Sequence, residues 1–168
     1  MLYYKTLDDV GRAQLDQLLD DAFGPNRTAK ISYRFRDGVD EARELSLSVW
    51  DGARLLGSIQ YWPVDVTGVR AVLLGPVAVA AEMRGLGLSR RLIHQSLELV
   101  AEAGFDLVVL VGDPQMYRKY GFSPAGLMGL EIEGEEARRV QARALTPAGL
   151  DAAGLVEVHR PGENSPQG

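Results

Sequence analysis

Arg84-Gly-Leu-Gly87-Leu-Ser89-Arg90 lies between an apolar strand-like run and a long helical pattern, and its reading decides the fold. Small residues let backbone N–H groups come close to a ligand. The helix behind adds unpaired amides and the positive end of its dipole, so the loop suits a phosphate or pyrophosphate. Arg84 and Arg90 can add charge-assisted hydrogen bonds. The competing reading is a plain tight turn made by Gly85 and Gly87. A Walker loop is excluded, because no glycine-rich stretch ends in Gly-Lys-Ser or Gly-Lys-Thr. A dinucleotide fingerprint also fails: Arg90 stands where its third glycine belongs, and Asp106 precedes the next strand instead of ending it.

Downstream, residues 87–103 place Leu88, Leu92, Ile93, Leu97, Val100 and Ala101 on one face. Arg90, Arg91, Gln95, Glu98 and Glu102 lie on the other, which predicts an amphipathic helix closed by Gly104. Leu107-Val-Val-Leu-Val111 is a continuous apolar run, as in a strand buried on both faces. Strand, helix and buried strand form a crossover unit, so the two strands are expected to be parallel neighbours. Gly112-Asp113-Pro114 then opens a short helix, with Asp as N-cap and Pro at the first position, running to Tyr120 and Gly121. Weaker strand signals follow at 129–133 and 137–144. Residues 160–168 read as a flexible tail after a single domain of residues 1–159.

Upstream, Leu45-Ser-Leu-Ser-Val-Trp50 alternates like a half-buried strand. Asp51-Gly52 is a tight-turn pair, and residues 54–62 read as the returning strand. Pro63 and Asp65-Val-Thr-Gly68 separate it from a third strand, 69–79, giving an antiparallel meander. Pro76 lacks a ladder donor, so Gly75-Pro76 predicts a bulge or an edge. Thr6-x-x-Asp9 resembles a helix start, and Leu15, Leu18, Leu19 and Ala22 form one apolar stripe ended by Gly24-Pro25. Between 25 and 44 a helical piece at 29–35 precedes a loop carrying Asp37, Asp40, Glu41 and Glu44. That acidic group reads either as a solvated loop or as an attractor for a cationic amine.

Composition narrows the function classes. The 168 residues suit one domain, and the net charge of −5 argues against bulk binding to nucleic acid or anionic membrane. There is no cysteine, and the two histidines are His94 and His159, so thiolate chemistry is excluded and no metal site is expected. No run approaches the roughly 18 to 20 apolar residues of a membrane span. The first residues carry no signal-peptide core, so a cytoplasmic protein is expected.

With these elements in place, the chain resembles the GNAT superfamily of acyl-CoA-dependent N-acetyltransferases, closely over residues 71–122 and more loosely over the whole strand order. The family signature is Gln/Arg-x-x-Gly-x-Gly/Ala after a central strand. Arg84-x-x-Gly87-x-Ser89 fits, with serine as a small polar departure at the last position. A second family element, an apolar strand followed by a short helix ending Leu-Tyr-x-Lys-x-Gly-Phe, is matched by Met116-Tyr117-Arg118-Lys119-Tyr120-Gly121-Phe122. The resemblance implies an α/β (α+β) mixed sheet, with the antiparallel meander first and the parallel CoA-binding strand–helix–strand unit after it. It implies that Arg84, Gly85, Leu86, Gly87, Leu88, Ser89 and Arg90 hold the pyrophosphate of acetyl-CoA, the co-substrate. The backbone of Val77, Ala78 and Val79 would pair with the pantetheine arm, and Tyr117 would protonate the leaving thiolate. It implies transfer to a primary amine, small-molecule or protein-borne, by direct attack in a ternary complex, and it leaves a homodimer open.

Several alternatives stay beside that reading. Tyr117 and Tyr120 also fit as core aromatics of a short helix, and His94 as a boundary residue. The general base is not visible. Residues 70–81 hold no Asp or Glu, Glu82 belongs to the loop, and Asp113 reads as a cap. Either a water-mediated base or an amine arriving neutral satisfies the chemistry. A non-catalytic acyl-CoA-binding module is the alternative function.

Overall fold

In the computed structural model, which describes residues 1–7 and 11–161, a mixed sheet runs in the order β1-β2-β3-β4-β5-β8-β6. Its members are β1 (Leu2–Thr6), β2 (Leu47–Asp51), β3 (Arg54–Val66), β4 (Val69–Val79), β5 (Leu107–Val111), β6 (Ser123–Pro124) and β8 (Val140–Ala144), with β10 (Glu157–Val158) added beside β3. β7 (Leu130–Glu131) and β9 (Gly154–Leu155) form a separate parallel pair. The helices are α1 (Arg12–Phe23), α2 (Leu88–Glu102), α3 (Pro114–Tyr117) and α4 (Pro147–Leu150). Asp9, and with it the expected helix start, lies outside the described residues, as do 162–168 of the expected tail.

The meander and the crossover fold as the pattern requires. β1 through β4 are antiparallel, and β4 and β5 are parallel, with Ala71, Val72 and Leu73 opposite Leu107, Val108 and Val109. α2 covers one face, packing Leu92, Ile93, Leu97 and Val100 on Val49, Ile59, Val72 and Val108. The other face carries α1, through Leu15, Leu18 and Leu19, and the buried Phe35 against Leu73 and Val109.

Gly75-Pro76 forms the bulge. Ile59 pairs with Val77 and Tyr61 with Leu74, so two β4 residues oppose Gln60 alone. The extra residue reverses the alternation of side chains. Val72 and Leu74 face α2 before the bulge, whereas Val79 faces it afterwards and Ala78 turns to α1.

Three expectations need correction, and one strand was not expected at all. β1 was not visible in the sequence; it is an edge strand whose partner is the backbone of β2. β2, with Ser46 just before it, is buried on both faces, because both serines are satisfied inside: Ser46 donates to the Ala42 carbonyl, and Ser48 donates to Lys5 and accepts from the Trp50 indole. β3 runs through Pro63 to Val66. The Tyr61 N–H and carbonyl face the β2 side, so alternation turns the Pro63 nitrogen the same way, into the gap between Leu47 opposite Ile59 and Val158 opposite Val64. No ladder donor is needed there. The chain is also held beyond residue 159, since the Arg160 N–H donates to Asp65 at 3.1 Å and His159 Nδ1 lies 2.7 Å from the same carboxylate.

Candidate active site

The parallel pairing of β4 and β5 stops at Leu73 and Val109. β5 continues along β8, with Leu110 and Val111 opposite Gln141 and Val140, while β4 bends away through its bulge. Among the described residues no strand pairs with the β5-facing edge of β4 beyond Leu73. A cavity of about 470 Å³ occupies the split. Ser89 and Ile93 of α2 line it from one face of the sheet, and Gly75, Pro76 and Val77 form its wall.

Just before α2, Gly85 and Gly87 both have left-handed backbones, φ 82° and 83°. A side chain is strained there, so the turn itself calls for glycine. A Cβ on either would meet no atom within 4 Å, so the space before them is open. Gly87 is the N-cap of α2 and offers no side-chain acceptor; the first intrahelical bond shown reaches Gly87 O from Arg91 N at 3.1 Å. The leading amides of α2, Leu88, Ser89 and Arg90, are therefore without helical acceptors.

The structure brings together only some of the expected residues. Val77, Ser89 and Tyr117 line the split. Gly85, Leu86, Gly87 and Arg90 are exposed at the α2 terminus. Leu88 is buried in the α2 core and Ala78 under α1, so each presents only backbone. Val79 and Arg84 line a second cavity of about 400 Å³ beside Leu18 and Ala22 of α1. Glu82 belongs there too and is ion-paired with Arg54.

Tyr117 sits at the end of α3, whose start is capped as expected: Asp113 Oδ1 accepts from Gln115 N at 2.9 Å, with Pro114 first in the helix. The ring is half-buried against Tyr120 and Phe122, with centroids 6.4 and 6.1 Å away. Burial, helped by Tyr120, raises its phenol above the ordinary value, so the hydroxyl stays protonated at neutral pH. No hydrogen-bond partner for that hydroxyl is found among the described residues. Gly112 carries the ring: a Cβ there would stand 2.7 Å from Tyr117 Cε2. Tyr120 is buried in the α2 core, and the exposed His94 rests edge-on against it at 5.1 Å.

The opposite face of the split is made by residues the sequence did not mark. Arg27 of the 3-10 turn Arg27–Ala29, Lys30 between that turn and the next, Ile31–Phe35, and Arg36 after the second line it with Arg139. Glu135 is the carboxylate among the lining residues. No local signal marks them, because they come from segments a hundred residues apart. Of the acidic group, Asp37, Asp40 and Glu44 are exposed, but the Glu41 side chain is 4% exposed. It accepts from Arg12 at 2.9 Å and from Gln60 at 2.8 Å, which compensates a buried charge. A wholly solvated loop is thus the wrong description. Among the described residues no cluster of three metal-ligating side chains occurs, and no helix is long and apolar enough to cross a membrane.

The family model of the acetyltransferase (GNAT) domain matches residues 4–125. The uncharacterized N-acetyltransferase YhbS of Escherichia coli K12 is 33% identical over 150 residues, 86% of this chain and 89% of its own. The crystal structure of E. coli YhbS in complex with CoA superposes with a TM-score of 0.82 at 29% identity, over 94% of this chain and 89% of that one. A GNAT family acetyltransferase from Brucella melitensis, solved with acetyl-CoA, gives 0.70 at 24% identity over 95% and 96%, a likeness of fold. The matched region contains the glycine loop, the split strands and Tyr117, and the chain belongs to the GNAT family of acetyltransferases.

Proposed function

We propose that the protein transfers an acetyl group from acetyl-CoA to a primary amine, by direct attack with both substrates bound. The observation that carries this is one cavity shared by the free β4 edge, Ser89 of the glycine loop and the unpartnered Tyr117 hydroxyl. The α2 amides, with Arg90 beside them, suit a pyrophosphate. The backbone of Val77, Ala78 and Val79, paired with β3 along one edge and open along the other, suits an amide-bearing pantetheine arm, which would add to β4 as a strand adds to an edge. Binding of CoA and acetyl-CoA by the related proteins supports the assignment.

In the reaction the amine lone pair forms the new C–N bond and the thioester C–S bond breaks, its electron pair leaving on sulfur. A backbone N–H at the bulge, aimed at the carbonyl oxygen, supplies the stabilisation that usually dominates acyl transfer. The amine loses one proton to water and sulfur gains one, so the sum is an amide and a free thiol. A thiol ionises near pH 8.5 and an ordinary phenol near 10, and burial lifts Tyr117 higher. Full proton transfer from Tyr117 is uphill. Its hydroxyl therefore acts by hydrogen-bonding the sulfur as charge builds there, while solvent settles the proton balance.

An amine screen read by release of free thiol, beside a no-acceptor control, tests the reading. Acceptor-dependent thiol release is the expected result. Saturable CoA binding with no thiol release from any amine would instead support the acyl-CoA-binding module.

A further inference from the structure

The cavity in the split is lined from both faces of the sheet, and its two sides differ in charge. On the α2 face stand Ser89, Ile93 and the glycine loop. On the other face stand Arg27, Lys30, Arg36 and Arg139, against Glu135 as the one lining carboxylate among the described residues. A chain of net charge −5 has gathered four cations on one side of the cavity.

These cations are not equivalent. Arg27 is already neutralised, bonding Asp20 at 2.9 Å and approaching Asp16 at 3.6 Å. Lys30 lies over the Phe23 ring, 5.2 Å from its centroid. Arg36 differs from both. Its guanidinium is stacked on Tyr33 at 5.2 Å, its Nε is buried without a hydrogen-bond partner, and no carboxylate of the described residues pairs with it. Burial, with Arg27 as a further repelling charge, pulls its pKa down to about 10. A half-buried guanidinium whose Nε has no partner and which faces no counter-charge is a ready site for an anion. Its planar fork matches a two-oxygen anion.

The phosphates of CoA do not supply it on the reading above, because the glycine loop opens on the α2 face. Arg36 follows Phe35, which packs on Leu73 and Val109 on the opposite face. We propose that the amine acceptor carries an anionic oxygen group, a carboxylate or a phosphate, held by Arg36 on the side of the cavity opposite α2, with its amine toward Glu135 and the bulge. The proposal rests on the acetyl-transfer reading for its choice of an amine.

Calorimetry on the CoA-saturated protein tests it without turnover. Two matched pairs serve as probes: phenylalanine against phenethylamine, which differ by the carboxylate, and phosphoethanolamine against ethanolamine, which differ by the phosphate. We expect the acid-bearing member of at least one pair to bind at least tenfold more tightly than its partner. The pair that shows the preference identifies the anion. Arg36→Gln should erase that preference, leave the CoA affinity unchanged and leave the neutral amines unaffected; Arg36→Lys should restore part of it. Thermal melting of each variant with CoA confirms that the fold is kept. No preference in either pair, or a preference that survives Arg36→Gln, overturns the proposal. Selective binding of the acid-bearing amine without its acetylation would leave the anion site standing and refute the transferase reading alone.

Discussion

The two ends of the β4–β5 pair are built on opposite terms. At the closed end, Asp106 acts as a clamp. Its carboxylate accepts from Arg70 N at 2.9 Å and from the Thr146 hydroxyl at 2.7 Å. Its N–H donates to Arg70 O, and its carbonyl accepts from Leu145 N, each at 2.8 Å. Even Gly149 is fitted to it, since a Cβ there would lie 2.0 Å from the Asp106 carbonyl. At the open end the inventory is left incomplete: an unpaired strand edge, two left-handed glycines before open space, a phenol without a partner and Arg36 without a counter-charge. Satisfied polar groups hold a fold together, and unsatisfied ones persist where a ligand completes them. Substitutions at the open end should therefore cost binding or turnover with the fold intact, and those at the closed end the reverse.

The largest effect is expected from Gly87→Val. At φ 83° any L-residue is strained by about 1–2 kcal/mol, more for a β-branched one. That lies within an ordinary stability margin of about 5–15 kcal/mol. The added side chain would enter the open space before the α2 amides. Melting temperature in the absence of ligand should fall by some degrees, and the rise that CoA produces should vanish. The unmodified protein should be stabilised by CoA and much less by pantetheine, which lacks the phosphates. If Gly87→Val still gains its full CoA-dependent stabilisation, the loop is only a turn.

Tyr117→Phe keeps the packing on Tyr120 and Phe122 and removes the hydroxyl. Turnover should drop roughly 10²-fold, the low end for a lost proton-handling group, with CoA affinity unchanged because the bond to sulfur grows in the transition state. Tyr120→Phe, in the buried core, should stay within a few-fold. Equal behaviour of the two variants would reduce Tyr117 to packing. Gly112→Ala perturbs the same ring from below: its Cβ would press on Tyr117 Cε2, and misplacement should lower turnover about tenfold. Steady-state kinetics of Gly112→Ala in the Tyr117→Ala background sharpens this. There the clash is gone, and the glycine substitution should have no further effect.

The same contrast explains what could be read from the sequence. The glycine loop, the bulge at Gly75-Pro76 and the Asp113 cap were legible because each is a backbone device, written in adjacent residues with restricted φ or a missing donor. β5 was legible because burial on both faces leaves a continuous apolar run. β1 was not, since an edge strand paired through backbone has no alternation to enforce. Pro63 was misread as a break because its nitrogen falls into a gap that tertiary pairing alone creates. Glu41 looked like a surface acid until Arg12 and Gln60, distant in sequence, enclosed it. Arg36 and Arg139 carry no local mark at all, for a site made of side chains is assembled by topology. Gly112 was read only as the residue before the Asp113 cap. Its nearness to an aromatic helix was visible, but that the ring would lie on it was not.

Asp106→Asn should give the smallest effect and the cleanest separation of the two ends. Backbone donation from Arg70, then the Thr146 hydroxyl, holds the Asp106 carboxyl below its ordinary pKa of 3.8. A group with a depressed folded pKa contributes stability that is fully present above the unfolded value, near 3.9, and is lost as pH falls through the folded value. The asparagine lacks that charge at every pH. Exchanging a charged acceptor for a neutral one should cost about 1 kcal/mol, or about 2–4 °C in melting temperature for a chain of this size. The gap between the two proteins should be constant from pH 7 to about 5 and close progressively below pH 4. Turnover and CoA affinity at neutral pH should be unchanged, because the clamp lies at the far end of β4 from the bulge. Melting curves across pH 2 to 7, with CoA titrations at pH 7, measure both. A gap that stays constant to pH 2 would show that the depressed ionisation does not support the fold. A loss of CoA affinity would show that the closed end sets the geometry of the open one.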